Sequence, residues 1–302
     1  MCRLERSGTS SAMQVILAAV LPVLLTVLVG YGIARAGKPF DGKTITFLVG
    51  TIGTPVLIFN NLSHTTVAPE ALGIIIGATI LAMSAHLIIG FAALKASGLS
   101  PQVYLASMAF PNSGNLGLPL ALYAFGDEGL NYAIAIFAIV SVGNHTVGQT
   151  ITAGQGRWHA ALKSPVVPAA ALGIIFGYFA VQMPIWIDNT LDVLSGLTIP
   201  LMLLMLGTSL ARIPVTTFSR STALSFLRIG MGTAVGFAIA DLFGFEDAER
   251  GVFVLQCAMP VAVYNYVYSQ IYNSKPEDIA SLVVVSTLLS VITVPVLLLF
   301  LV

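Results

Sequence analysis

Charge is what this sequence has least of: Asp, Glu, Lys and Arg together make up 9% of its 302 residues, against roughly 25% in soluble domains. So few charges cannot keep the surface of a water-soluble fold hydrated. Hydrophobic residues reach 57%, so lipid is the expected solvent for most of the surface. The 13 basic and 13 acidic residues cancel to zero, leaving no global field that would point to nucleic acid. The two cysteines, Cys2 and Cys257, lie far apart and fit neither a disulfide framework nor a metal-ligand pattern; Cys257 reads as a small core residue. There is no nucleophile–base pair, phosphate-binding glycine loop or metal-type cluster in the chain, so no enzyme, cofactor or metal is expected. No carboxylate lies deep in an apolar run, which excludes ion exchange by paired buried aspartates.

What the sequence has in quantity is long apolar runs. A membrane-crossing helix needs about 20 mostly apolar residues, and ten runs qualify: 14–34, 44–62, 71–94, 102–125, 130–152, 165–183, 193–211, 222–240, 252–272 and 279–302. The expected fold is an all-α polytopic membrane protein. The first dozen residues read as a disordered tail or an over-extended start before Met13, and the run that follows is too long for a cleaved signal peptide. Lys and Arg collect in alternate loops, as Arg35, Lys38, Lys43, Lys95, Arg157, Lys163, Arg212, Arg220 and Lys275, while the other side holds only Arg3, Arg6 and Arg250. By the positive-inside rule, both termini face away from the cytoplasm. The expected location is a bacterial inner (plasma) membrane.

Pro22, Pro55 and Pro111 recur as Pro168, Pro200 and Pro260, and Gly30-Tyr31 recurs as Gly177-Tyr178, all shifted by roughly 147 positions, a landmark set of the kind internal repeats leave. Residues 13–153 and 165–302 then form two five-helix repeats, with 154–164 as a short cytoplasmic linker. An odd number of crossings per half turns the second half upside down, and inverted repeats of this kind let two half-structures rock about a central site.

The fourth run carries Pro111, Asn112, Ser113, Gly114, Asn115, Gly117 and Pro119 near its middle, where prolines and glycines interrupt a helix. Freed backbone groups are tolerated at membrane depth only inside protein or beside a wet cavity. The ninth run repeats the pattern more weakly, with Pro260, Val261, Tyr264 and Asn265. Each break aims the start of a half-helix at the midplane, and such starts attract anions. The asparagines could instead cap their own half-helices. Thr54 and Asn60 in the second run are candidates for the same path, or for ordinary helix–helix hydrogen bonds. The embedded ionisable groups are His86, His145 and Arg228. His86 and Arg228 are candidates for ion coupling, His86 as a proton carrier. A packing role for His86, and snorkelling of Arg228 toward the surface, stand beside that reading.

Ten runs in two inverted halves, Pro111-Asn112 followed by Gly117-Leu118-Pro119, and Pro260 followed by Tyr272-Asn273 resemble the auxin efflux carrier family over nearly the whole chain from about Met13. The plant members of that family export auxin, and its bacterial members include malonate and malate permeases. The resemblance implies a bile-acid-symporter-like fold, with a scaffold domain, a transport domain and two crossing broken helices. It also implies that Pro111 and Pro260 mark the crossing, that Asn112 meets the substrate carboxylate, and that the chain forms a homodimer. Asn115 stands where the plant carriers have an apolar residue and Val261 where they have a polar one, so the substrate need not be auxin. The expected function is alternating-access transport of a small mono- or dicarboxylate, with a proton or sodium ion as possible partner. A membrane receptor or sensor, or a channel, is the alternative.

Overall fold

The computed structural model describes residues 10–65, 67–154, 165–212 and 216–302. The described residues hold thirteen α-helices: α1 (Ser10–Arg35), α2 (Gly42–Leu48), α3 (Thr54–Ser63), α4 (Pro69–Ala96), α5 (Pro101–Ala109), α6 (Leu118–Gly143), α7 (Gln149–Ala153), α8 (Val166–Tyr178), α9 (Ile185–Arg212), α10 (Phe218–Phe243), α11 (Asp247–Cys257), α12 (Val263–Ile271) and α13 (Pro276–Leu298). Among the described residues there is no strand beyond one isolated antiparallel bridge, Pro111 to Val261. The first nine residues, with Cys2, Arg3, Glu5 and Arg6, and nearly all of the 154–164 linker, with Arg157 and Lys163, lie outside the described residues. α1 starts at Ser10, inside the stretch expected as a tail.

Among the described residues, seven helical stretches are long and apolar enough to cross a membrane: Ile16–Arg35, Thr44–Ser63, Glu70–Ala96, Ser113–Ala153, Ile185–Arg212, Phe218–Phe243 and Pro276–Leu298. α8 is apolar but has only 13 residues. α5 and α12 have 9 each; at ~1.5 Å per residue, neither alone reaches across ~30 Å of hydrocarbon. α6 is interrupted at Gly126, where φ is 68° and ψ is −160°. Three π-helical turns, Val49–Gly53, Ser113–Gly117 and Asn144–Gly148, interrupt the α-helical runs.

Two groups of helices pack side by side. α1 lies along α9, and α3 lies between α8 and α9; α4, α5, α10, α11 and α13 pack around one another, with α6 in contact with both groups. The α1–α9 contact is close because Gly207 sits on it: a Cβ there would run into the Val27 carbonyl oxygen. Small residues allow this approach in membranes, where packing rather than water drives helix association. Pro22 and Pro200 lie within α1 and α9 without ending either helix; Thr26 Oγ1 donates to the Pro22 carbonyl at 2.8 Å. The outward faces are apolar, with Leu25, Ile88, Trp186 and Leu242 exposed, as a lipid-facing surface requires.

Candidate functional site

Proline sets the geometry at the centre. It has no N–H and pushes the preceding residue toward extended backbone. α5 therefore ends before Pro111, with Phe110 at φ −106° and ψ 108°, and α11 ends before Pro260. The two extended segments cross and satisfy each other. Asn112 N–H donates to the Pro260 carbonyl at 2.7 Å and Ala262 N–H to the Phe110 carbonyl at 3.4 Å. Val261 N–H donates to Ser286 Oγ at 3.2 Å. Backbone groups freed by both breaks thus find partners away from lipid. Helical structure resumes at Ser113 and at Val263.

Beside this crossing is a cavity of about 280 Å³. One wall is Pro111, Asn112, Ser113, Gly114 and Asn115, the start of the resumed helix; Ala262 and Tyr264 belong to the other crossing segment. Val49 and Gly50 come from the interruption between α2 and α3, Thr54 from the start of α3, and Ser141, Asn144 and His145 from the end of α6 and its π-turn. Met202 and Met205 of α9 contribute soft apolar surface. Four irregular backbone segments converge here, and local π-turns of this kind are frequent at functional sites. Among the described residues, no Asp, Glu, Lys or Arg lines the cavity.

Its polarity comes instead from unspent hydrogen-bonding groups. Asn112 is buried, makes no side-chain cap, and its Nδ2 has no partner among the described residues. The first N–H groups of a helical segment also lack intrahelical acceptors, so the Asn112–Asn115 wall is donor-rich. On another side of the cavity, the buried Asn144 Oδ1 is an acceptor without a partner among the described residues. His145 Nδ1 pairs with the Ser141 carbonyl at 2.7 Å, and the ring lies 5.3 Å from that of Tyr264. A second cavity, of about 360 Å³, shares Asn115, Met205 and Tyr264 with the first and leads toward Phe40, Asp41 and Arg212.

A family model described as "Membrane transport protein" matches residues 15–161 and 149–298. The chain belongs to the membrane transport protein family. It is 29% identical over 300 residues to an uncharacterized transporter of Methanocaldococcus jannaschii, covering 91% of this chain and 95% of that one. An uncharacterized transporter of Methanothermobacter thermautotrophicus is 28% identical over 291 residues, with the same coverage of 91% and 95%. Auxin efflux carrier component 2 of Oryza sativa subsp. japonica is 23% identical over 140 residues, 44% of this chain and 22% of the carrier. The family and these relatives carry transporter names rather than enzyme names.

In this membrane transport protein, Thr54, Pro111, Asn112, Ser113, Gly114, Asn115 and Tyr264 line the cavity, whereas Asn60, Pro260, Val261 and Asn265 do not. Pro260 and Val261 are spent in the crossing itself. Asn265 Nδ2 reaches back to the carbonyls of Ala106 and Phe110 at 3.3 and 3.4 Å, closing the end of α5. Asn60 Nδ2 donates to Asp192 Oδ1 at 2.9 Å, a helix–helix bond between α3 and α9. His86 and Arg228 lie together behind the crossing, outside the cavity. Arg228 does not snorkel: it is fully buried, and its Nη2 donates to the Cys257 carbonyl at 3.0 Å. Ser141, Asn144 and His145 complete the cavity without having been singled out for it; their i, i+3, i+4 spacing marks one helix face and is the signal that finds them.

Proposed function

We propose that this membrane transport protein moves a small organic anion, a mono- or dicarboxylate, across the inner (plasma) membrane by alternating access. The supporting observation is the donor-rich wall of Asn112 to Asn115, where a resumed helix begins beside the buried, unpartnered Asn112 Nδ2. A carboxylate supplies acceptors to those donors and gains from the partial positive charge of a helix start. The volume of about 280 Å³ suits a ligand at the small end of the usual pocket range. Asn112 and Asn115 hold the carboxylate on this reading, with Thr54 and Tyr264 beside it and Pro260, Val261, Asn265 and Asn60 shaping the site from behind. Ten crossings in two inverted five-helix repeats, residues 13–153 and 165–302, supply the two halves that rock. The second cavity, toward Arg212, is the cytoplasmic path, and both termini lie on the opposite side. A homodimer in the bilayer is the proposed assembly, and a proton or sodium ion the proposed coupling partner.

Purified protein in proteoliposomes tests this with radiolabelled malonate, malate and indole-3-acetate. Saturable uptake accelerated by unlabelled acid trapped inside supports a carrier. Flux that neither saturates nor shows counterflow makes the protein a channel, and binding without flux makes it a receptor.

A further inference from the structure

Arg228 is the only Lys or Arg buried among the described residues, and no described Asp or Glu is buried. It sits on α10 with 0% of its surface exposed. One nitrogen, Nη2, is held by the Cys257 carbonyl at the end of α11, where the helix terminus offers partial negative charge. Nε and Nη1 have no partner among the described residues. The titratable groups facing it among the described residues are the His86 ring of α4 and Cys257; neither supplies a negative counter-ion. A guanidinium keeps its charge in proteins, and burial of such a charge without a partner carries a heavy desolvation penalty. The cation therefore favours a negative charge placed nearby.

The substrate cavity is the adjacent open space. His86, Gln256 and Cys257 line a small cavity of about 10 Å³ together with Pro111 and Val140, and Pro111 and Val140 also line the substrate cavity. Pro111 and Val140 thus form a shared layer between the substrate cavity and the small cavity lined by His86 and Cys257, the groups beside the guanidinium. Across such a layer the medium is protein rather than water. Two unit charges on the order of 10 Å apart at an effective dielectric near 20 alter an equilibrium by roughly tenfold.

We propose that Arg228 is the fixed counter-charge of the transport site, a positioning residue that selects anions over neutral molecules of the same shape without touching them. This rests on the carboxylate reading above and adds to it the source of charge selectivity, since the donors at Asn112 serve a neutral amide oxygen as well as a carboxylate. His86 belongs to the same device as a neighbour that brings no negative charge to the guanidinium.

The test compares dissociation constants for an acid and its amide, indole-3-acetate with indole-3-acetamide and malonate with malonamide, by calorimetry on the purified full chain. Arg228→Gln should weaken the acid roughly tenfold and leave the amide unchanged, and Arg228→Lys should keep the wild-type ratio. His86→Glu keeps Arg228 and its bond to Cys257 while placing a carboxylate beside the guanidinium, so it should lower the acid-to-amide preference as Arg228→Gln does. It decides the matter if Arg228→Gln does not fold. An unchanged acid-to-amide ratio in His86→Glu or in folded Arg228→Gln overturns the proposal while leaving carboxylate transport standing. Wild-type protein that binds none of these acids overturns both.

Discussion

Asn112 and Asn265 stand on the two crossing segments and are used in opposite ways: the side-chain amide nitrogen of Asn265 is bonded to two carbonyls of the other segment, whereas that of Asn112 has no partner among the described residues. Their substitutions should therefore separate. Asn265→Ala leaves the end of α5 without its closing bonds and should lower stability by about 1–3 kcal/mol, with or without ligand. Asn112→Ala removes a buried donor that has nothing to pair with, so the ligand-free melting temperature should hold or rise slightly. The same variant should lose the rise in melting temperature that a bound carboxylate gives the wild type. Thermal unfolding in detergent, with and without malonate or indole-3-acetate, reads both outcomes. Equal ligand-free losses in the two variants would put Asn112 in the scaffold rather than the site.

Close approach of α1 and α9 depends on the absence of a side chain at Gly207. Gly207→Val places branched carbons against the Val27 carbonyl and must force the two helices apart. Overpacking of this kind costs about 1–3 kcal/mol, and here it also loosens the wall that Met202 and Met205 of the same helix present to the cavity. A drop in melting temperature together with weaker substrate binding is the expected result. Gly196, in the same helix with open space around its Cβ position, serves as the control, and Gly196→Ala should change neither.

The membrane class, the helical content and both breaks are legible in the sequence, because lipid exposure and proline each act through local chemistry. What the asparagines do is not. Asn265 and Asn60 carry the same side chain as Asn112, yet their partners, the Ala106 and Phe110 carbonyls and Asp192, are brought in by distant parts of the chain. Arg228 shows the same limit. Its spacing from Arg220 allows it to reach the surface, and only the tertiary position of the Cys257 carbonyl makes it inward-facing. Seven long apolar helical stretches emerge among the described residues where ten runs are visible, because α5 and α11 stop at the crossing, α8 is short, and the fourth and fifth runs join as Ser113–Ala153 across the Gly126 interruption. Continuous hydropathy does not report where a helix is cut.

His86 is an attractive proton carrier by residue type alone, but its surroundings argue against that use. Both ring nitrogens lack a partner at hydrogen-bonding geometry among the described residues, the Ala109 carbonyl and the Arg228 guanidinium are near the ring, and no described carboxylate is buried with it. A proton added there would place a second cation beside an uncompensated one. His86→Gln should therefore leave the pH profile of uptake in proteoliposomes at its wild-type shape. A profile that flattens in this variant would restore His86 as the coupling group.

The acidic end of the molecule offers a pH-dependent prediction outside the membrane-crossing helices. Glu249, in the first turn of α11, has its carboxyl pushed above the ordinary glutamate value, by burial first and by the neighbouring Glu128 second. A folded-state value above the unfolded one means that the native protein holds this proton more tightly. The resulting stabilisation is complete below the unfolded value and is lost as pH rises through the folded value. Wild-type protein should accordingly lose some stability on going from acid to neutral pH. Glu249→Gln removes the charge that causes the loss, so it should melt higher than wild type at pH 7. The gap should close as pH falls below the ordinary carboxylate range, where both side chains are neutral. Glu128→Gln should reproduce a smaller part of the same gain, since Glu128 is the second of the two causes. Melting curves at matched ionic strength across pH decide it: a gap that persists at acid pH would assign the Glu249→Gln effect to packing rather than charge.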